Sequence, residues 1–188
     1  MRLGATSGAL SGLMSIAAIL VSVGTLYLTE LRGAEIAVLA ADQTYLARDR
    51  NGSQEVVLVP LTLTNSGARD GAVRGLRLTV TDESGGSRSF RATGFGPSPG
   101  PDAAPFAPIA IPGRSSVSRA VLFHPMERGQ PLLSEAGAYR LDLSLSLADG
   151  RMGDSVMLNQ RLPYFSLPDL ADGRLIRMVP VAAGAGGA

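Results

Sequence analysis

Two hydrophobic patterns divide the chain. From Ala9 to Leu28 (ALSGLMSIAAILVSVGTLYL) apolar and small residues run unbroken by charge, and from Glu35 onward short alternating stretches take over. The first run is 20 residues long, which as a helix spans about 30 Å, the thickness of a bilayer's hydrocarbon core. The pattern predicts a transmembrane helix over 9–28, preceded by a short N-terminal segment (1–8) and followed by a juxtamembrane linker (29–34).

A cleaved signal peptide is the competing reading, with Met1 and Arg2 as its basic end. The apolar stretch of such a peptide is ordinarily about 7–15 residues. No small-x-small site follows closely either: Leu31-Arg32-Gly33-Ala34 carries an arginine, and Val38-Leu39-Ala40 lies inside a predicted strand. An uncleaved single-pass anchor is therefore expected. Arg2 and the terminal amine lie on one side of the helix, while Glu30 and Arg32 nearly cancel on the other. The positive-inside tendency then puts the N-terminus in the cytoplasm and the rest in the periplasm of a bacterial inner membrane. Tyr27 suits the outer interfacial aromatic belt.

The helix also carries a stripe of small residues. Gly4, Gly8 and Gly12 make overlapping GxxxG steps, and Ser11, Ser15, Ala18, Ser22 and Thr25 recur at alternating spacings of four and three. In lipid, helices associate by close approach over small residues and by hydroxyl hydrogen bonds. The stripe predicts packing against other transmembrane subunits.

Past residue 35 the signals are those of strands. Glu35–Ala41, Thr44–Arg48, Glu55–Thr64, Leu76–Val80, Ser87–Thr93, Phe106–Ile111, Val117–Phe123, Ser155–Leu162 and Arg174–Val181 are each bounded by turn chemistry. The cleanest two-residue period sets Tyr139, Leu141, Leu143, Leu145 and Leu147 against Arg140, Asp142, Ser144, Ser146 and Ala148, a strand with one dry face and one wet face. Gly96–Pro108 is too rich in proline for a central strand and predicts an edge crossing or surface loop. Asn51-Gly-Ser53 matches a glycosylation sequon and reads as a hairpin turn. Residues 182–188 form a Gly/Ala tail.

Composition narrows the function classes. The basic residues are 17 arginines with no lysine, set among 16 acids for a net charge of +1, so no electrostatic footprint for nucleic acid is present. The absence of cysteine excludes disulfides, thiol catalysis and Cys-based metal sites. No P-loop, dinucleotide fingerprint or Gly-x-Ser-x-Gly motif occurs, and the single histidine is His124. The chain is not expected to be an enzyme or to hold a cofactor.

His124-Pro125-Met126 is the one sharp alternative. Imidazole plus thioether suits Cu(I), and the pair resembles the His-x-Met element of periplasmic copper chaperones, with Met152, Met157 and Met178 as further donors. Asp149–Asp154 and Asp169–Asp172 lack the dense oxygen ligands of a calcium loop and read as turns.

The stretches Val59–Gly67 (VPLTLTNSG), Arg74–Val80 (RGLRLTV), Phe106–Gly113 (FAPIAIPG) and Gly137–Leu145 (GAYRLDLSL) resemble bacterial immunoglobulin-like, fibronectin-type domains. The resemblance implies a mainly β protein, with one antiparallel β-sandwich over 35–181 behind the N-terminal helix. The expected role is a non-catalytic accessory subunit of a larger bacterial membrane complex, a photosynthetic reaction-centre and light-harvesting assembly being the first guess. In such an assembly the helix has no histidine to ligate a chlorophyll, so its part would be scaffolding.

Overall fold

The computed structural model describes residues 5–48, 55–99, 102–127 and 129–181, with side chains from residue 12 onward. The apolar run forms α1 (Ala5–Leu26), extended by a π-helical turn over Tyr27–Leu31. Strands follow as β1 (Ile36–Ala40), β2 (Thr44–Arg48), β3 (Glu55–Asn65), β4 (Gly71–Asp82), β5 (Ser87–Phe95) and β6 (Ala104–Pro105). They continue as β7 (Ile109–Ile111), β8 (Ser115–Pro125), β9 (Gly137–Leu147), β10 (Val156–Leu162) and β11 (Ile176–Pro180). A short helix, α2 (Leu167–Ala171), precedes the last strand. The Asn51 sequon, Gly4 and the 182–188 tail lie outside the described residues.

Eight strands close on themselves. In order round the ring, β3, β2, β11, β10, β9, β4, β5 and β8 each pair antiparallel with the next, and β8 returns to β3. The fold is a closed β-barrel, which overturns the expected immunoglobulin-like sandwich. A sandwich keeps two sheets with free edges, whereas the β5–β8 and β2–β11 ladders here join the ring all the way round. Period-2 alternation reports one buried face in either architecture, so the strand pattern carried no information on closure.

The remaining strands attach to this ring. β1 and β2 lie along the same edge of β3, with Ala41–Gln43 between them. That break sits opposite Pro60, which has no N–H to give and accepts from the Ala41 N–H at 2.9 Å. β7 pairs with the start of β4 and β6 with the end of β5.

The interior is filled from every side of the ring, with Leu63, Leu78, Phe90, Phe123, Leu141, Leu143 and Leu145 fully buried. β9 follows the alternation expected of it. The Pro-rich stretch behaves differently from a plain surface loop. Ala103, with Tyr45 and Ala120, covers a small outer cluster of Val56, Leu58 and Leu122, and Phe106 stacks on Phe95 with ring centroids 5.1 Å apart. Every residue from Glu55 to Val59 is consequently buried, on both faces of β3.

The strands give the barrel two poles. The start of β4, the end of β3 and the start of β8 meet at one, beside the helix exit. At the other pole α2 plugs the interior with Leu170, 1% exposed, while the adjoining Tyr164 and Phe165 stand in solvent.

Candidate functional site: an apolar helix and the collar that holds it

The stretch Gly12–Leu31 has a mean hydropathy of 1.8 and is long and apolar enough to cross a membrane. Nothing among the described residues covers it: Leu13, Ile16, Ile19, Leu20 and Val23 are all more than half exposed. In water such a surface is strongly unfavourable, and in lipid it is at home.

Of the predicted packing residues, Gly12, Ser15, Ala18, Ser22 and Thr25 are described on α1. Gly8 and Ser11 belong to the same helix, with their surroundings outside the described residues. Gly12 has open space beside its α-carbon. Ser22 donates to the Ala18 carbonyl at 2.8 Å, Thr25 to Val21 at 2.7 Å and Thr29 to Thr25 at 2.8 Å. These hydroxyls are thus satisfied inside their own helix, as lipid requires. What the stripe offers a neighbour is small volume and close approach.

At the helix exit the hydrogen bonding widens. The Arg32 N–H passes over Leu28 and donates to the Tyr27 carbonyl at 2.9 Å. The Leu28 carbonyl accepts instead from Arg114 Nη2 at 2.6 Å, across 86 positions of sequence. A guanidinium on the last carbonyls of a helix also complements the negative end of its dipole.

The residues that follow are strapped to the barrel. The Arg32 carbonyl accepts from the N–H groups of Ala68 and Arg69 at 3.0 and 3.1 Å, and Glu35 accepts from Ser66 N–H at 2.9 Å. Asn65, 1% exposed, is the hub. Its Oδ1 accepts from the Glu35 and Gly67 N–H groups at 3.0 Å each. Its Nδ2 donates to the carbonyls of Arg69 (2.8 Å), Ile111 (3.2 Å) and Pro112 (3.3 Å). One amide side chain therefore ties the helix exit, the β3–β4 loop and the β7–β8 turn together.

Backbones approach closely enough to demand glycine at two points. A methyl at Gly67 would overlap the Gly33 carbonyl, and one at Gly113 would overlap the Ala68 carbonyl. Asp70 Oδ1 then accepts from Gly113 N–H at 3.0 Å, and Arg114 N–H donates to the Gly67 carbonyl at 2.9 Å. On the rim, hydrogen bonds from Ser66 and then from Arg32 hold the Glu35 carboxyl below its ordinary pKa.

The copper candidates are not gathered. His124 lies near the far pole, its Nδ1 2.6 Å from Thr93 Oγ1, and Met126 is 46% exposed beside it. Met157 is on β10, four strands from β8 in either direction round the ring. Met152 bridges to Ser146 near the collar, and Met178 is buried in the core. Asp149 is taken up by the N–H and guanidinium of Arg151, and Asp169 pairs with Arg174, so these are turns. No group of three or more His, Cys, Asp or Glu suited to a metal ion exists among the described residues.

The far pole holds a polar cluster that strand assignment did not flag. Glu55 is fully buried; its Oε1 accepts from Leu133 N–H and its Oε2 lies 3.4 Å from Arg88 Nη1. Arg88 also donates to the Gln130 and Glu127 carbonyls at 2.9 and 2.6 Å. The ion pair thus holds Glu127, Gln130 and Leu133 of the loop that follows β8, and the Tyr139 hydroxyl donates to the Glu135 carbonyl further along it at 2.8 Å. Burial pushes the Glu55 carboxyl above its ordinary pKa, although Leu133, Leu132 and the Arg88 and Arg48 charges pull the other way.

No family model matches the chain, and no curated protein matches it. Among solved structures it is similar to one described as an ApaA protein from Bordetella pertussis, at 16% identity and a TM-score of 0.35. That likeness covers 70% of this chain and 95% of the other. A Northeast Structural Genomics Consortium target is similar at 12% identity and a TM-score of 0.37, covering 69% of this chain and 86% of that one. Likenesses this distant carry no argument about activity. None of the comparisons returns a photosynthetic or other membrane-complex family, and the photosynthetic expectation is corrected accordingly.

Proposed function

We propose that this chain is a non-catalytic accessory protein of a bacterial inner membrane. In this reading α1 crosses the bilayer and packs among the helices of a larger assembly, and the barrel meets partners on the periplasmic side. The observation that carries the reading is the collar: an apolar, uncovered helix ends in a turn bonded to the barrel through Arg114, and Asn65 holds the Glu35 N–H that follows. A segment destined for removal has no use for a guanidinium of the folded domain on its last carbonyls.

The stripe of Ser15, Ala18, Ser22 and Thr25 supports a neighbouring helix, because its hydroxyls are already bonded and its bulk is low. Solubilisation in a mild detergent tests this. The tagged chain should migrate in a complex well above its own 19.4 kDa, with the same membrane proteins retained in repeat preparations. Replacing Ala18 and Ser22 by leucine should release those partners while the barrel stays folded. A lone monomer from native membranes, or a soluble product trimmed within the collar, would overturn the reading.

A further inference from the structure

We propose that Arg114 is a register clamp: by taking the Leu28 carbonyl it holds the helix exit in a π turn and so sets which face of α1 lies on which side of the barrel. The inference rests on the membrane-helix reading above and asks what the collar does for it. A π turn is an α-helix with one residue extra in a turn, a rare arrangement, and a carbonyl left without its α-helical donor needs a partner from elsewhere. Here the support is visible. The Arg32 N–H bonds Tyr27 rather than Leu28, and the carbonyl passed over is met by Arg114 Nη2 at 2.6 Å.

The backbone at Arg114 adds an independent sign. It is the only non-glycine with positive φ among the described residues, at 55°. That conformation costs an ordinary side chain about 1–2 kcal/mol relative to glycine. Glycine is already used next door at position 113. The strain at this backbone is offset by what its side chain does, and the guanidinium's partner in the helical turn is the Leu28 carbonyl.

Without the clamp, the Arg32 N–H can fall back to Leu28 and complete an α turn. Everything upstream would then rotate by about 100°, one α-helical residue, and shift by about 1.5 Å along the axis. The small-residue stripe would face a different azimuth while its own sequence stayed the same. Helix registration is thus assigned to a barrel loop far away in sequence.

The chain has no cysteine, so spin labels can be placed singly. Labels at Leu20→Cys and at Met157→Cys or Ser118→Cys, on opposite walls of the barrel, report two distances by pulsed dipolar spectroscopy. The full chain is measured in phosphatidylcholine nanodiscs, with no partner present. Arg114→Ala should move at least one of the two distances by roughly 5–8 Å, the chord a helix surface sweeps in such a rotation. Deleting Thr29 in the Arg114→Ala background should restore both. The Arg32-to-Tyr27 bond then becomes an ordinary α-helical one, and the upstream register returns.

Unchanged distances in Arg114→Ala would overturn the proposal. So would a broadened distribution that the deletion fails to restore, because that marks a loosened joint rather than a changed register. Neither outcome bears on whether native partners co-purify, so failure here and failure of the accessory-subunit reading are told apart.

Discussion

Asn65→Leu is expected to destabilise the protein by on the order of 4 kcal/mol, read as a lower urea midpoint by far-UV circular dichroism of the full chain in mild detergent. The substitution keeps the branch at Cγ and removes the polar atoms. The Gly67 N–H and the Ile111 carbonyl are buried beside Asn65 and lose their partner, and the Glu35 N–H is only partly solvated. A buried donor or acceptor left unmet costs about 1–3 kcal/mol, so two or three of them outweigh any gain from a leucine in that place. Asn65→Asp makes the comparison sharper. It keeps both acceptor bonds but turns a carboxylate oxygen on the carbonyls of Arg69, Ile111 and Pro112 where Nδ2 had donated, so its loss at neutral pH should be at least as large as that of leucine. An aspartate variant as stable as wild type would mean that the donor bonds from Nδ2 contribute nothing. A leucine variant within about 1 kcal/mol of wild type would remove Asn65 as the organiser of the collar.

Much of this architecture was legible in the order of residues, and the reasons for the rest are specific. The apolar run from Ala9 and the alternation in Tyr139–Leu147 each follow from a local period, and α1 and β9 appear where that period puts them. Closure of the ring was not legible, because it depends on β5 meeting β8 and β2 meeting β11. No local pattern records which strands become neighbours.

Glu55–Val59 looks like a half-buried strand until the Pro-rich stretch is laid over it, and that cover is tertiary. The exit turn was equally hidden, since its cause is an arginine 86 positions away. One signal was available and is worth learning from. Along β3, the inward-facing positions are Glu55, Val57, Val59, Leu61, Leu63 and Asn65, all buried. Four are aliphatic, and the polar two stand at the ends. A polar side chain in phase with a strand's core positions is costly unless something meets it. Each of these two turned out to hold the loops of its own pole.

The pole farther from the helix makes the second large prediction. Replacing Arg88 by methionine strands a carboxylate that is 1% exposed, and removing one partner of such a pair costs roughly 3–5 kcal/mol. The loss should depend on pH in a definite direction. The folded-state pKa of Glu55 already lies above its unfolded value, because desolvation outweighs the nearby hydrogen bonds and positive charges. The folded chain therefore binds a proton more readily than the unfolded one. Glu55's unfavourable contribution is then fully present above its folded pKa and fades as pH falls toward the ordinary 4.5. Arg88→Met should deepen that dependence, since the lost cation was one of the groups pulling the pKa down. Glu55→Gln should flatten it, having no proton to take up.

Glu35, Asp82 and Asp149 have lowered pKa values and act with the opposite sign. What they contribute is lost only on acidification below their ordinary range, 4.5 for Glu35 and 3.8 for the aspartates. Subtracting the Glu55→Gln stability curve from that of wild type cancels these groups and isolates the buried pair. A difference that declines as pH rises above 4.5 supports the assignment. A flat difference there would mean that Glu55 is solvated in the folded protein, and that its bond to the Leu133 N–H is not made in a dry site.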